Sequence, residues 1–264
     1  MLNKARKTAL AAVTLGALAL TACGGDDSSA NGADSGLGLV SEGTLTVCSE
    51  IPYVPFEYVE DGEYTGFDMD LIREIATGMG LETEIQQQGF EAIQGGTAVS
   101  ANMCDLSASA VSITPERSEK LLFSDPYYDS LQTLLVPAGS DISGIDDLAG
   151  KRVGVQQSTT GAAYAQENVE GAEILEYPGD GELFQAIQGG SIDAILQDIA
   201  VNTNHTKDGA FDIVEEYQTD ESYGFATKKE NTALIEEANA QLAELRDNGK
   251  YDEIYDKYFA EQAL

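Results

Sequence analysis

The segment Phe90-Glu91-Ala92-Ile93-Gln94-Gly95-Gly96 recurs further along the chain as Phe184-Gln185-Ala186-Ile187-Gln188-Gly189-Gly190. In each copy the residues read as the end of a helix and the glycine pair as its C-cap, because glycine enters the left-handed region without steric cost. An aspartate that opens a strand follows each copy, at Asp105-Leu106 and at Asp193-Ala194. A short similarity can arise by chance. The matching strand after both copies argues instead for two similarly built lobes, with the cleft between them as the ligand site.

Outward from the repeat, strand and helix signals alternate. Strands are predicted over Thr44–Ser49 and residues 106–111, 152–155 and 192–196. Residues 67–79 carry Leu71, Ile72, Ile75, Ala76 and Met79 at helical spacing. Further helices are predicted near 161–168, 180–189, 199–206, 230–247 and 250–259. The last places Tyr251, Ile254, Tyr255, Tyr258 and Phe259 on one face. Such alternation predicts an α/β fold with mostly parallel sheets.

The 264 residues are 42% hydrophobic, enough for a sizeable core. Fourteen Lys and Arg stand against 46 Asp and Glu, a formal charge of −32. That balance repels phosphate backbones and argues against nucleic-acid binding. It also keeps the chain from anionic membrane surfaces unless a covalent group holds it there. Lys4, Arg6 and Lys7 precede an apolar run over residues 8–20, too short to span a bilayer. Residues 1–22 therefore read as a signal peptide. Leu20-Thr21-Ala22-Cys23 resembles the lipobox of bacterial lipoproteins, which implies acylation (palmitate among the chains) at Cys23 and a lipid-anchored, extracytoplasmic location. The alternative is ordinary cleavage beside an incidental cysteine. Each buried methylene of an acyl chain would add ~0.8 kcal/mol to anchoring. Residues 24–36 contain only Gly, Asp, Ser, Ala and Asn and read as a tether. Its reach is roughly 20 Å. The folded part is expected to begin near Val40.

Enzyme signatures are sparse. Gly144-Ile145-Asp146-Asp147-Leu148-Ala149-Gly150-Lys151 is one residue too long for a phosphate loop, and Arg152 stands where a magnesium-binding hydroxyl belongs. His205, the one histidine, lies in a polar stretch and reads as a solvated surface residue. Polar groups instead collect just after strands, where open sheets bind ligands. Glu50 and Tyr53 follow the first strand; Ser112, Thr114 and Arg117 follow the second; Ser158, Thr159 and Thr160 follow the third; Asp198 follows the fourth. Thr114-Pro115 reads as an N-cap and first helical residue, which holds Arg117 in a first turn. An arginine so held suits a carboxylate, and an aspartate suits an ammonium. A surface Arg–Asp pair is the plainer account of Arg117 and Asp198.

Tyr53-Val54-Pro55-Phe56-Glu57, Thr65-Gly66-Phe67-Asp68-Met69-Asp70-Leu71, Ser112-Ile113-Thr114-Pro115-Glu116-Arg117 and Phe123-Ser124-Asp125-Pro126-Tyr127-Tyr128 together resemble bacterial solute-binding protein family 3. These are type II periplasmic binding proteins of the polar amino-acid class, and the resemblance covers about residues 42–260. It implies two lobes, 41–129 plus 224–264 and 130–223, joined by two crossing strands near 128–131 and 223–225. Residues 23–40 would then be the lipidated cysteine and tether. The resemblance further implies that Arg117, Ser112, the backbone at Ala110 and Thr159 hold the α-carboxylate of a free amino acid. Asp198 would take the ammonium and Tyr53 would pack over the side chain. Glu50 would face the ligand's distal end, with Phe90, Gln156 and Gln197 as further pocket positions. The segment between Phe90 and Asp105 is roughly two residues longer than the family pattern.

The implied function is capture of a polar, leaning cationic, L-amino acid by lobe closure and delivery to an ABC transporter permease. No cofactor, metal or catalytic residue is called for. The protein would act as a monomer that meets the membrane through its lipid alone. A secreted dehydratase-like enzyme on the same fold and a ligand-sensing module are the alternatives. Compartment chemistry would pair Cys48 with Cys104. The expected strand register argues against it, placing them more than about 10 Å apart at ~3.3 Å per residue, beyond disulfide reach.

Overall fold

The computed structural model describes residues 36–260. The signal-peptide, acylation and tether assignments for residues 1–35 lie outside them. The chain begins with β1 (Thr44–Ser49), the hairpin β2 (Tyr58–Glu60) and β3 (Glu63–Thr65), α1 (Phe67–Gly78) and β4 (Glu82–Gln87). It continues through α2 (Phe90–Gln94), α3 (Thr97–Ser100), β5 (Leu106–Ser107), α4 (Pro115–Lys120) and β6 (Leu121–Phe123). Next come β7 (Tyr128–Pro137), β8 (Arg152–Gln156), α5 (Thr160–Asn168), β9 (Glu173–Tyr177), α6 (Asp180–Gln188), β10 (Ala194–Asp198) and α7 (Ile199–His205). β11 (Phe211–Tyr223), β12 (Ala226–Lys228), α8 (Thr232–Asp247) and α9 (Lys250–Phe259) complete it.

Two five-stranded sheets result, ordered β4-β1-β5-β12-β6 and β11-β7-β10-β8-β9. Each is mixed. In the first, β4, β1 and β5 are parallel and β12 runs antiparallel to both neighbours. In the second, β9, β8 and β10 are parallel, while β7 pairs antiparallel with β10 and β11. The reversed strands, β12 in the first sheet and β7 in the second, supply the antiparallel pairings that the βα alternation could not announce.

The sequence repeat extends to its hydrogen bonds. α2 ends on Gly95 and α6 on Gly189, each followed by a glycine of positive φ, Gly96 at 77° and Gly190 at 70°. Asp105 N–H then donates to Thr46 O, and Asp193 N–H to Arg152 O, both at 2.8 Å. The two carboxylates accept in return from the N–H groups of Thr46 (2.7 Å) and Arg152 (2.8 Å). Each aspartate thus ties its own strand to the neighbouring parallel one.

α1 turns a buried stripe of Phe67, Met69, Leu71, Ile72, Ile75 and Ala76 inward. Phe67 meets the predicted face of α9, its ring 5.1 Å from Phe259 and 5.9 Å from Tyr251. Gly66 permits the tight entry to α1: its φ is +125°, and a Cβ there would lie 2.1 Å from Phe56 O.

Two expectations are corrected. The strand predicted over 106–111 pairs only at Leu106–Ser107. Ala110 adopts φ +44° and turns the chain out of the sheet, so the alternating Ser-Ala pattern reflects a bent loop. Cys48 and Cys104 form a disulfide, with a Cα separation of 5.6 Å. In the strand register Leu106 lies beside Val47. Cys104, however, precedes β5 in bent chain leaving α3, and it shares an apolar cluster with Cys48, Phe90, Ile93 and Val99. The offset counted along an extended strand therefore does not apply to it.

Candidate functional site

The pocket between the two sheets is lined by Glu50, Tyr53, Phe90, Ser109, Ala110, Ser112 and Arg117 from the first half of the fold. Gln156, Thr159, Thr160 and Asp198 line it from the second. Arg117 is placed as the sequence predicts. Thr114 Oγ1 accepts from Arg117 N–H at 3.1 Å, and Pro115 opens α4. The guanidinium is buried above the Phe90 ring, with Cζ 5.3 Å from its centroid. Its Nη1 donates to Ser112 O at 2.9 Å and its Nη2 to Ser158 O at 3.0 Å, across the cleft. Two of five N–H groups are thereby used, and the remainder can serve an anion.

Asp198 ends β10 and is buried. Its Oδ2 accepts from the hydroxyls of Tyr53 and Tyr223, both at 2.6 Å, and its Oδ1 from Gln132 Nε2 at 2.5 Å. Glu50, just beyond β1, accepts from Gln156 Nε2 at 2.5 Å and holds Ser109 Oγ through its backbone N–H at 3.0 Å. Phe90, the first residue of α2, lines the pocket, and the segment that follows it folds as α2 and α3.

Four expected placements change. Thr159 lines the pocket, but its hydroxyl is committed: it caps α5 by accepting from Ala162 N–H at 3.0 Å and donates to Gln156 O at 2.7 Å. Its neighbour Thr160 turns inward, with Oγ1 3.4 Å from Ser112 Oγ. The Ala110 N–H is spent on Asp68 Oδ2 at 2.9 Å, so this backbone offers the pocket an acceptor and cannot donate to a carboxylate. Gln197 is turned behind the pocket, where its Nε2 donates to Asp180 Oδ1 at 3.0 Å. His205 is buried rather than solvated: its Nε2 lies 2.9 Å from Asp180 Oδ1, and its ring stacks 3.7 Å from Phe184. Of its polar neighbours Lys207 is exposed and Asn204 and Thr206 are half-buried, while the ring turns inward.

Sequence reasoning missed Ser109, Gln132 and Glu221. Gln132 lies between Leu131 and Thr133 at the start of the apolar stretch of β7, a buried polar group in a strand and thus a usable signal. Glu221 carries no such mark in the run Thr219-Asp220-Glu221-Ser222. Its Oε2 accepts from Thr160 Oγ1 at 2.6 Å and Ser112 Oγ at 3.0 Å, and its Oε1 from Gln132 Nε2 at 3.1 Å. Among the described residues no cluster of His, Cys, Asp or Glu could hold a metal ion.

A family model for bacterial extracellular solute-binding proteins, family 3, matches residues 45–261. The chain belongs to this family. The family 3 protein is similar to a probable histidine-binding protein of Neisseria gonorrhoeae, 31% identical over 267 residues and 97% of each chain. It is also similar to an ABC transporter glutamine-binding protein of Bacillus subtilis strain 168, 34% identical over 211 residues, 76% of this chain and 74% of the relative. An ancestral arginine-binding protein bound to arginine superposes with a TM-score of 0.78 at 34% identity, covering 82% of this chain and 98% of its own.

Burial sets the electrostatics of this solute-binding pocket. It pushes Glu50 up to about 7, against the opposing hydrogen bond from Gln156. Asp198 is raised to about 6 by burial and then by the neighbouring charge of Glu221, against the pull of its three donors. Burial lowers Arg117 from its ordinary value, and the Asp198 and Glu221 charges oppose that. Among the described residues no helix is long and apolar enough to cross a membrane.

Proposed function

We propose that this family 3 protein captures a free polar L-amino acid, leaning to cationic side chains, and delivers it to an ABC transporter permease. The observation that carries this reading is the pairing of opposite charges in one pocket. Arg117, on α4 with three N–H groups in hand, and Asp198, at the end of β10, reach it from different halves of the fold, as the two ends of a zwitterion require. Ser112 and Thr160 would donate to the α-carboxylate alongside Arg117, and the Ala110 carbonyl and Asp198 would receive the ammonium. The lobes would be residues 41–129 plus 224–264 and 130–223, closing about the paired strands where Tyr128, Asp129 and Ser130 face Tyr223, Ser222 and Glu221. Delivery, the monomeric state and the extracytoplasmic anchor at Cys23 belong to the same proposal.

The cationic preference is supported by Glu50 and by the mouth beside it. Glu50, Glu91, Asp180 and Glu182 line an opening of about 510 Å³ without a Lys or Arg among its walls. Like charges there disfavour an acidic side chain and favour a guanidinium or ammonium. Tyr53 could stack on either.

A thermal-shift panel of the twenty amino acids, with calorimetry on the hits, tests the reading. Responses to arginine, lysine or histidine are expected, with glutamine next. Response to glutamate or aspartate alone would show that Glu50 does not select the side chain. Recovery of each amino acid unchanged after incubation separates binding from dehydratase-like turnover.

A further inference from the structure

We infer that Glu221 is a built-in carboxylate latch, which occupies the ligand's hydroxyl donors and holds the two lobes together before an amino acid binds. The inference rests on the proposed roles of Ser112 and Thr160, but its geometry stands by itself. Ser112 belongs to the first lobe and Thr160 to the second, and one oxygen of Glu221 accepts from both, at 3.0 and 2.6 Å. The other oxygen accepts from Gln132 Nε2 at 3.1 Å, and the same amide donates to Asp198 Oδ1 at 2.5 Å. Glu221 itself sits on β11 opposite Ser130 of β7, within the paired strands that link the lobes. A register irregularity separates Tyr217 from Glu221 and re-aims the strand there.

A hydroxyl has one proton to donate. Ser112 and Thr160 cannot both serve Glu221 and an incoming α-carboxylate, so the amino acid must displace the glutamate from them. Hydrogen bonds to an ionised acceptor are roughly twice as strong as neutral ones, which makes the exchange close to even and the competition real. Binding therefore exchanges one carboxylate for another. The latch stabilises contact between the lobes in the absence of ligand and lowers the affinity for the amino acid that replaces it. Gln132 links the exchange to Asp198, since the amide that holds Glu221 also holds the acceptor of the ammonium.

Glu221→Ala tests this in the purified protein, with Glu221→Gln as the near-isosteric second variant in case the truncation folds poorly. Small-angle scattering without amino acid reads lobe contact, and calorimetry with the best amino acid from the panel reads affinity. A larger radius of gyration without ligand, together with about tenfold tighter binding, is expected of the alanine variant, the tenfold corresponding to ~1.4 kcal/mol. The glutamine variant, neutral but still able to accept, should fall between it and the wild type. Weaker binding in both variants would show that Glu221 holds the ligand and would overturn the latch. Unchanged scattering would overturn it too. A wild-type protein that binds no amino acid would defeat the functional reading alone, because the scattering comparison needs no ligand.

Discussion

The hydroxyl of Tyr53 donates to Asp198 Oδ2 at 2.6 Å, joining residues 145 positions apart across the pocket. Tyr223 makes the same bond to the same oxygen from the linking strand. Asp198 is thus aimed by two phenols, one from the loop beyond β1 and one from the end of β11 in its own sheet.

Tyr53→Phe removes one donor from a buried carboxylate. Amino-acid binding is expected to weaken roughly ten- to a hundredfold, as the ~1.5–3 kcal/mol that a hydrogen bond to a charged group contributes requires. The lost bond also raises Asp198 further, so calorimetry should find a larger deficit at pH 6 than at pH 8. An equal deficit at both would place the effect in packing.

Arg117→Lys keeps a charge but loses the planar fork. Binding should weaken by at least tenfold, and Arg117→Ala should abolish it. Near-ultraviolet dichroism of the lysine variant should match the wild type. Wild-type affinity in either variant would remove Arg117 from the site.

Stability should fall as pH rises from 5 to 8. Burial raises Glu50 and Asp68 to about 7, Asp198 to about 6 and Glu57 well above its ordinary value. The folded protein therefore binds these protons more tightly than the unfolded chain. The associated stability is complete below about pH 4 and is lost as pH climbs through 6 to 7. Calorimetric Tm should drop by about 5 °C or more over that range. Asp198→Asn should flatten part of the slope.

A cationic side chain beside Glu50 would draw its pKa down and release a proton on binding. Affinity for arginine, lysine or histidine should rise from pH 6 to pH 8, and the measured enthalpy should depend on the buffer's ionisation enthalpy. Glutamine should show only the smaller trend that Asp198, raised to about 6, gives every amino acid whose ammonium it receives. Identical pH profiles for both classes would separate Glu50 from the side chain.

Reduction should expose two more alkylatable thiols than the untreated protein offers. Cys48→Ser with Cys104→Ser should cost ~3–4 kcal/mol for a loop of this separation, 56 residues. Denaturant titration measures the loss.

Several features of this protein were settled along the chain. Local spacing determines the helices, and their capping chemistry determines where they start. Thr114-Pro115 therefore foretells the turn that holds Arg117, and the glycine pairs foretell the ends of α2 and α6. The repeated aspartates foretell two similar halves, because a strand start needs the same tie in each. The tertiary structure alone decided the rest. Cys104 reaches Cys48 because bent chain leaves the strand axis, which no register count can represent. Ala110, Thr159 and Gln197 have the residue types the pocket calls for, yet each spends its donor on a partner distant in space or specific to the turn. Glu221 reads as one acid among many in an acidic chain. Its place on the linking strand puts its carboxylate between two hydroxyls from opposite sides of the pocket, a meeting that depends on packing and leaves no local trace.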